Sequence, residues 1–175
     1  VILAIAVTIV ATDDSKKRLT GELAVEVSVG DVKDTPSFAV VQTVAPDYSG
    51  SEVVTIDPAT EIVTKGYYIK DGSDYTVRSY NKDVFHIGRF FIDTISKYNA
   101  DALDTAIWTN TTQDSGDSTS RNPYDIVSVN ETKAYILRYG SSKVWIVNPQ
   151  ATTAEDFKIG ELNLDAYIAD NNSNG

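Results

Sequence analysis

The fold is decided by residues 122–149, which read NPYDIVSVNETKAYILRYGSSKVWIVNP. Short runs rich in β-branched and aromatic residues predict three successive strands, at 124–129, 134–138 and 143–147. Polar clusters of turn-forming residues separate these runs, at 130–133 and 139–142. The Asn148-Pro149 turn leads to a fourth apolar run that begins at Phe157. Four strands joined in order by tight turns predict one four-stranded antiparallel sheet, the size of a propeller blade.

Two upstream segments, 52–69 and 84–99, repeat the pattern of strand and turn. Asp57, Asp93 and Asn148 are the candidate equivalent turn positions, which gives spacings of 36 and 55 residues. The blades of propellers usually repeat every ~40 to 50 residues. A polar insertion at residues 109–121, predicted to be a surface loop, accounts for the longer spacing. Few helices are expected, and residues 99–107 come closest to a helical period.

Four pieces of the 122–149 stretch resemble the repeat of YVTN-type surface β-propellers, namely 123–127, 130–133, 135–138 and 144–148. Residues 79–87 are similar to the same turn and strand in the preceding unit, and the resemblance extends over about residues 37–162. The chain departs from the pattern because its Asn130 turn lacks glycine and Arg138 stands where asparagine is usual. The resemblance implies an exported bacterial or archaeal propeller with an envelope or binding role, and no single reaction.

Three such units predict an all-β fold made of four-stranded antiparallel blades of a β-propeller, in an incomplete ring. The ring is expected to be incomplete because propellers generally contain about four to eight blades. A different all-β fold, such as a sandwich fed by the early strands, is the alternative architecture.

The chain divides into three predicted parts. Residues 1–11, VILAIAVTIVA, resemble the apolar region of a signal peptide and are too short for an ordinary membrane span, with a buried first strand as the alternative. Residues 12–36 are predicted to form an N-terminal strand and linker, and 37–175 the partial propeller. The predicted location is therefore secreted, periplasmic or cell-surface, with no membrane span in the mature form.

Composition narrows the classes of function. The 25 acidic and 15 basic residues give a formal net charge of −10, which opposes binding to a phosphate backbone, so no nucleic-acid partner is predicted. The chain has no cysteine and one histidine, His86, so disulfides, thiolate zinc sites and multi-histidine metal sites are ruled out. No metal, no cofactor and no catalytic residue is predicted.

Six residues are weak candidates for ligand binding: His86, Arg89, Asn122, Tyr124, Asp125 and Arg138. His86 lies in a strand where it shares one face with Val84, and it is either a ligand contact or a structural histidine. Asn122, Tyr124 and Asp125 open a strand near a channel mouth, although turn formation by Asn-Pro is the favoured explanation. The two arginines suit a carboxylate or an acidic sugar, or else surface packing.

Two further groups of residues have competing interpretations. Asp114 and Asp117 lack the spacing of a calcium loop and are interpreted as solvated loop charges. The 10 tyrosines, with Trp108 and Trp145, could stack on sugars or form a protein interface, but a sheet core uses the same residues.

The sequence favours an exported cell-envelope or surface propeller that acts as a non-catalytic binding or structural module. Its expected partner is a protein or carbohydrate ligand at the cell envelope. The alternative is a propeller-type enzyme, a lactonase-like hydrolase or a lyase, whose channel site would include His86 and residues 122–125. No nucleotide-binding, zinc-protease or serine-hydrolase motif supports that alternative.

Overall fold

The computed structural model describes residues 38–168, which form three antiparallel sheets in chain order. The first sheet contains β1 (Ala39–Val44), β2 (Ser51–Ile56) and β3 (Val63–Lys70). The second contains β4 (Tyr75–Tyr80), β5 (Asp83–Gly88), β6 (Thr94–Asn99) and β7 (Trp108–Thr111). The third contains β8 (Pro123–Asn130), β9 (Lys133–Arg138), β10 (Lys143–Val147) and β11 (Lys158–Asn163). A short helix, α1 (Ala154–Phe157), precedes β11, and a 3-10 helix (Asp165–Tyr167) follows it.

The predicted all-β class is confirmed, because the described chain is nearly all β and forms antiparallel sheets of three or four strands, the strand number that a propeller-like fold uses. The strands predicted within residues 122–149 match β8, β9 and β10, and β11 follows the Asn148-Pro149 turn as expected. The three sheets within residues 38–168 are fewer than the about four to eight blades of a closed propeller.

Residues 99–107, which come closest to a helical period in the sequence, do not form a helix. This segment is a series of turns with one isolated bridge between Asn99 and Ala102. Its terminal amides bond to neighbouring strands, since Ala100 N–H donates to Lys82 O and Ile107 N–H donates to Lys97 O. These longer-range partners replace the i to i−4 bonds that a helix would need.

Contacts between sheets show how the strands correspond. β1 contacts β4 of the second sheet, just as β5 contacts β8 of the third sheet. β1 therefore corresponds to β5, the second strand of a four-stranded sheet. The first sheet therefore holds counterparts of β5, β6 and β7, and within residues 38–168 no strand pairs with the free edge of β1. The corresponding strands β2, β6 and β10 are directly followed by Asp57, Ala100 and Asn148. These three positions are 43 and 48 residues apart. The predicted equivalence of Asp93 is corrected, because Asp93 lies one turn earlier, between β5 and β6.

Two hydrophobic clusters separate the sheets, one at each junction. The second junction, between the second and third sheets, is densely apolar and includes Phe85, Ile87, Ile95, Ile126, Ile136, Trp145, Val147 and Phe157. The first junction, between the first and second sheets, is smaller and richer in tyrosine, with Val84, Tyr98 and Leu103 packed against Phe38, Val40, Tyr67 and Tyr68. Alternation along β5 sends Val84 to the first junction and Phe85 to the second, as its sequence predicts.

The predicted signal-peptide remnant at 1–11 and the predicted strand and linker at 12–36 lie outside the described residues. In the region predicted as a polar insertion, residues 109–111 lie in β7 and residues 112–122 form the loop that leads to β8. Across residues 38–168, no helix has the length and apolar character that a membrane span requires.

Candidate functional site

The loops at one end of the three sheets are joined by backbone hydrogen bonds into a continuous surface, which we call the turn end. Arg89 N–H donates to Asp74 O, which joins the β5–β6 turn to the β3–β4 loop. Gly140 N–H donates to Arg121 O, which joins the β9–β10 turn to the 112–122 loop. The β1–β2 turn lies at the same end, because Ser51 pairs with Lys70 at the end of β3.

Asp93 holds the centre of the turn end together. Its side chain is buried, and Oδ1 accepts the backbone N–H groups of Arg121 and Asn122, each at 2.8 Å. Its own carbonyl accepts the N–H of Thr112 at 2.8 Å. The β5–β6 turn and the 112–122 loop are therefore fixed to each other by one residue. Asn122, a predicted ligand residue, takes part through its backbone and has a left-handed φ of 48°.

Phe90 and Phe91 form an exposed pair at the tip of the β5–β6 turn. The two residues are 54% and 72% exposed, and their rings pack edge to face with centroids 4.2 Å apart. The backbone beneath them is held from both sides, because Phe90 N–H donates to Asp74 Oδ2 at 3.0 Å and Phe91 N–H donates to Ser120 Oγ at 2.9 Å. Phe91 also has a left-handed φ of 59°, a conformation that costs a bulky residue ~1–2 kcal/mol. The turn thus presents two apolar rings on a fixed backbone.

Two of the predicted ligand residues, Arg89 and Tyr124, lie together beside this pair. The Arg89 guanidinium forms an ion pair with Asp74 at 2.5 Å and lies 5.8 Å from the centroid of the Tyr124 ring. Tyr124, near the start of β8, is 54% exposed. We call the surface formed by Arg89, Phe90, Phe91 and Tyr124 the aromatic surface. The sequence does not reveal the two phenylalanines, because adjacent apolar residues next to a strand also suit a core.

His86 lies in the first junction, away from the aromatic surface. Its ring stacks on Tyr75 with centroids 4.8 Å apart and approaches Tyr68 at 5.1 Å. Nε2 lies 3.0 Å from Gln42 Oε1 and donates to it in the neutral tautomer that this contact requires. Burial, with a smaller contribution from the positive charge of Lys70, lowers the pKa of His86 to about 4. A neutral, buried imidazole of this kind supports the packing of the two sheets.

Arg138 is also buried, and its guanidinium holds the loops beneath the turn end. Nη1 donates to Thr112 O and to Asp114 Oδ1, both at 3.0 Å, while Nη2 donates to Ser141 Oγ at 3.2 Å. The guanidinium also lies 4.3 Å from the centroid of the Trp145 ring. Burial lowers the pKa of Arg138, although the Asp114 carboxylate opposes that shift. The geometry gives Arg138 a positioning role within the protein.

Asp114 and Asp117, interpreted as solvated loop charges, are partly exposed loop residues that also form ion pairs with arginines. Asp114 bridges Arg138 and Arg121, with an Arg121 Nε to Asp114 Oδ2 distance of 3.0 Å, and Asp117 pairs with the same Arg121. The two carboxylates thus pair with two arginines, one of them buried. Among residues 38–168, no group of three or more acidic or histidine side chains is placed to hold a metal ion.

Asp125 lies on β8 and pairs with Arg78 on β4, with an Nε to Oδ1 distance of 2.7 Å. The pair links the first strands of the second and third sheets. The structure therefore brings Arg89 and Tyr124 together at the surface, places Asn122 and Arg138 beneath it, and puts His86 and Asp125 between sheets.

No family model matches the chain, and no curated protein matches it. Among solved structures, the crystal structure of glutaminyl cyclase from Myxococcus xanthus is similar with a TM-score of 0.38 and 12% sequence identity. That alignment covers 85% of this chain and 62% of the cyclase, so the chain spans less than two thirds of that protein's length.

Proposed function

We propose that this chain belongs to an exported β-propeller of the YVTN type and acts at the cell envelope as a non-catalytic binding module. The order of strand and turn motifs in residues 122–149 supports the YVTN assignment, and the apolar run at residues 1–11 supports export. The ligand is a protein or a carbohydrate of the envelope. The acidic net charge of −10 disfavours nucleic acid and other polyanions.

The aromatic surface is the observation that carries this proposal. Exposed groups of apolar side chains on soluble proteins mark interaction sites more often than isolated exposed residues do. Here the backbone N–H groups of Phe90 and Phe91 bond to Asp74 and Ser120, so little backbone entropy is lost when a ligand covers the rings. Such preorganisation of exposed rings suits binding better than it suits stability.

Arg89 and Tyr124 are proposed to contact the ligand at the edge of the phenylalanine pair. Asp74 neutralises Arg89, and the open face of Tyr124 remains available for stacking. Asn122 and Arg138 hold the supporting loop, while His86 and Asp125 hold the sheets on which the turn end is built. The proposed roles thus divide the six predicted residues into two contact residues and four positioning residues.

Co-sedimentation with the envelope fraction of the protein's own host tests the proposal. The fluorescently labelled protein is expected to sediment with this fraction, and the double substitution Phe90→Ser with Phe91→Ser is expected to weaken binding by about tenfold or more. The thermal unfolding temperature should stay close to that of the unsubstituted protein, because both rings are exposed.

Ile159→Ser is the matched control, since Ile159 is 55% exposed on β11 and lies outside the aromatic surface. This variant should bind as the unsubstituted protein does. Binding that Ile159→Ser and the double substitution reduce equally would refute a specific aromatic surface. Export is tested separately by protease treatment of intact host cells, which should cleave a tag placed at the exposed Ser118 if the protein faces outward.

A further inference from the structure

A second candidate site lies at the turn end of the third sheet, between the β9–β10 turn and the 3-10 helix. It is an open depression of about 520 Å³, a volume within the usual range for small-molecule sites. Tyr139 and Tyr167 are among the residues that line it, and they are 82% and 84% exposed. The lining also includes Ser141, Ser142 and Leu164. Two exposed tyrosines and two serines therefore line one concave space.

The walls of the depression are held by hydrogen bonds to the sheet. Ser141 Oγ accepts from Arg138 Nη2 at 3.2 Å and from Lys143 N at 3.1 Å, which fixes the β9–β10 turn on a buried guanidinium. On the other side, Leu164 N–H donates to Ser142 O at 2.9 Å, and Tyr167 N–H donates to Leu164 O at 2.8 Å. The turn and the 3-10 helix are thereby tied to each other.

The two serine hydroxyls offer complementary hydrogen-bonding capacity. Ser141 Oγ already accepts two hydrogen bonds, so its proton remains available to donate. Ser142 contributes a second hydroxyl to the lining, and a hydroxyl can both donate and accept. A donor beside an acceptor matches a ligand whose own hydroxyls both donate and accept.

Charge narrows the class of ligand further. The side chains that line the depression are all uncharged, and the nearby charges of Lys143 and Asp165 oppose each other. The whole chain has a net charge of −10, which disfavours an anionic ligand. An uncharged ligand with a flat apolar face and several hydroxyls satisfies the rings, the serines and the charge together.

We infer that the depression binds a neutral sugar ring of an oligosaccharide, stacked on Tyr139 or Tyr167 and hydrogen-bonded to Ser141 and Ser142. This inference rests on the proposed function as a binding module, and it assigns carbohydrate as the ligand class. It concerns a different set of side chains from the aromatic surface, so the two sites can be tested separately.

The test is titration of the isotope-labelled protein with neutral oligosaccharides, namely cellohexaose, chitohexaose and mannohexaose, followed by NMR. At least one is expected to shift the amide signals of Gly140, Ser141 and Ser142. Tyr139→Ala and Tyr167→Ala should each weaken that binding, by about tenfold for the ring on which the sugar stacks. Tyr139→Phe should retain affinity within about threefold because it keeps the stacking face.

Tyr48→Ala is the matched control, since Tyr48 is 74% exposed in the β1–β2 turn and lies outside the depression. It should leave oligosaccharide affinity unchanged. The inference is overturned if no neutral oligosaccharide shifts these amides at 10 mM, if both tyrosine-to-alanine variants bind normally, or if an oligogalacturonate binds more tightly. Loss of envelope binding only in the Phe90 and Phe91 variant, with sugar affinity intact, would separate this site from the proposed function.

Discussion

The two junctions between sheets differ in chemistry, although the same strand, β5, contributes to both. The second junction buries a continuous apolar cluster around Phe85 and Ile136, which are 1% and 0% exposed. The first junction instead stacks His86 between tyrosines and joins it to Gln42 through one hydrogen bond. Apolar burial is insensitive to pH, whereas a buried imidazole must stay neutral. The aromatic surface combines the β5–β6 turn of the second sheet with Tyr124 of the third sheet. These two sheets meet at the second junction, which is the more apolar one.

The largest loss of unfolding free energy is expected for Phe85→Ala, which removes a buried ring, and it contrasts with the removal of an exposed ring in Phe90→Ala. Phe85 is 1% exposed within the second junction, and its removal should lower the free energy of unfolding by about 3–5 kcal/mol. Phe90→Ala removes the same atoms from an exposed turn and should change that free energy by less than about 1 kcal/mol. Urea unfolding of both variants measures this contrast, and equal losses would contradict the assignment of the core.

Lys97 tests whether polar burial also stabilises the second junction. Its side chain is 3% exposed, and Nζ lies 2.8 Å from Asp83 Oδ2 and 3.1 Å from Pro149 O. Lys97→Met leaves the Asp83 carboxylate with a weak Gln150 contact at 3.4 Å, so we expect a loss of about 3 kcal/mol. Lys82→Met, which breaks an exposed pair with Asp101, should cost less than about 1 kcal/mol. Similar losses in both variants would show that Lys97 is not buried.

Strand-level features were predictable from the sequence because their signals are local. The strands β8 to β10 follow directly from alternating apolar runs between turn residues. The position of β1 as a second strand was not predictable, since it depends on contact with β4 about 36 residues away. Polar turn residues resemble one another in sequence. For that reason Asp93, which follows β5, was matched to Asp57 and Asn148, which follow β2 and β10.

The candidate site was predicted only in part, for a related reason. Arg89 and Tyr124 were identified by side-chain type and do lie together at the surface. The roles of Asp93 and Arg138 depend on partners 24 to 29 residues away, such as Asp114 and Asn122, and no local pattern encodes these pairings. Phe90 and Phe91 are recognisable as surface residues only from the structure, which places them in the exposed β5–β6 turn.

The pH dependence of the free energy of unfolding also distinguishes the two junctions, because His86 lies in the first one. His86 has a folded pKa of about 4, below its usual value of 6.5, so the unfolded chain binds a proton that the folded chain does not. The contribution of His86 to the free energy of unfolding is fully present above pH 6.5. It falls by up to about 3 kcal/mol as the pH decreases from 6.5 to 4. His86→Gln should flatten this part of the profile, because glutamine does not titrate. An unchanged profile in the variant would show that carboxylates alone cause the loss.

The smallest expected effect concerns the pair that joins the first strands of the second and third sheets. Arg78 and Asp125 are 42% and 26% exposed, so solvent screens their attraction. A double-mutant cycle with Arg78→Gln and Asp125→Asn should give a coupling free energy below about 1 kcal/mol, which decreases further in 1 M salt. A coupling of several kcal/mol that persists in salt would indicate a buried pair instead.

Residue-resolved hydrogen exchange at pH 7 and pH 5, corrected for intrinsic rates, tests the difference between the junctions most directly. We expect two groups of opening free energies, with the amides of β1 and β2 opening more easily than those of β9 and β10 at both pH values. The opening free energy of the first sheet should fall at pH 5, because opening exposes His86 to protonation. A single opening free energy shared by the first and third sheets at both pH values would contradict this account.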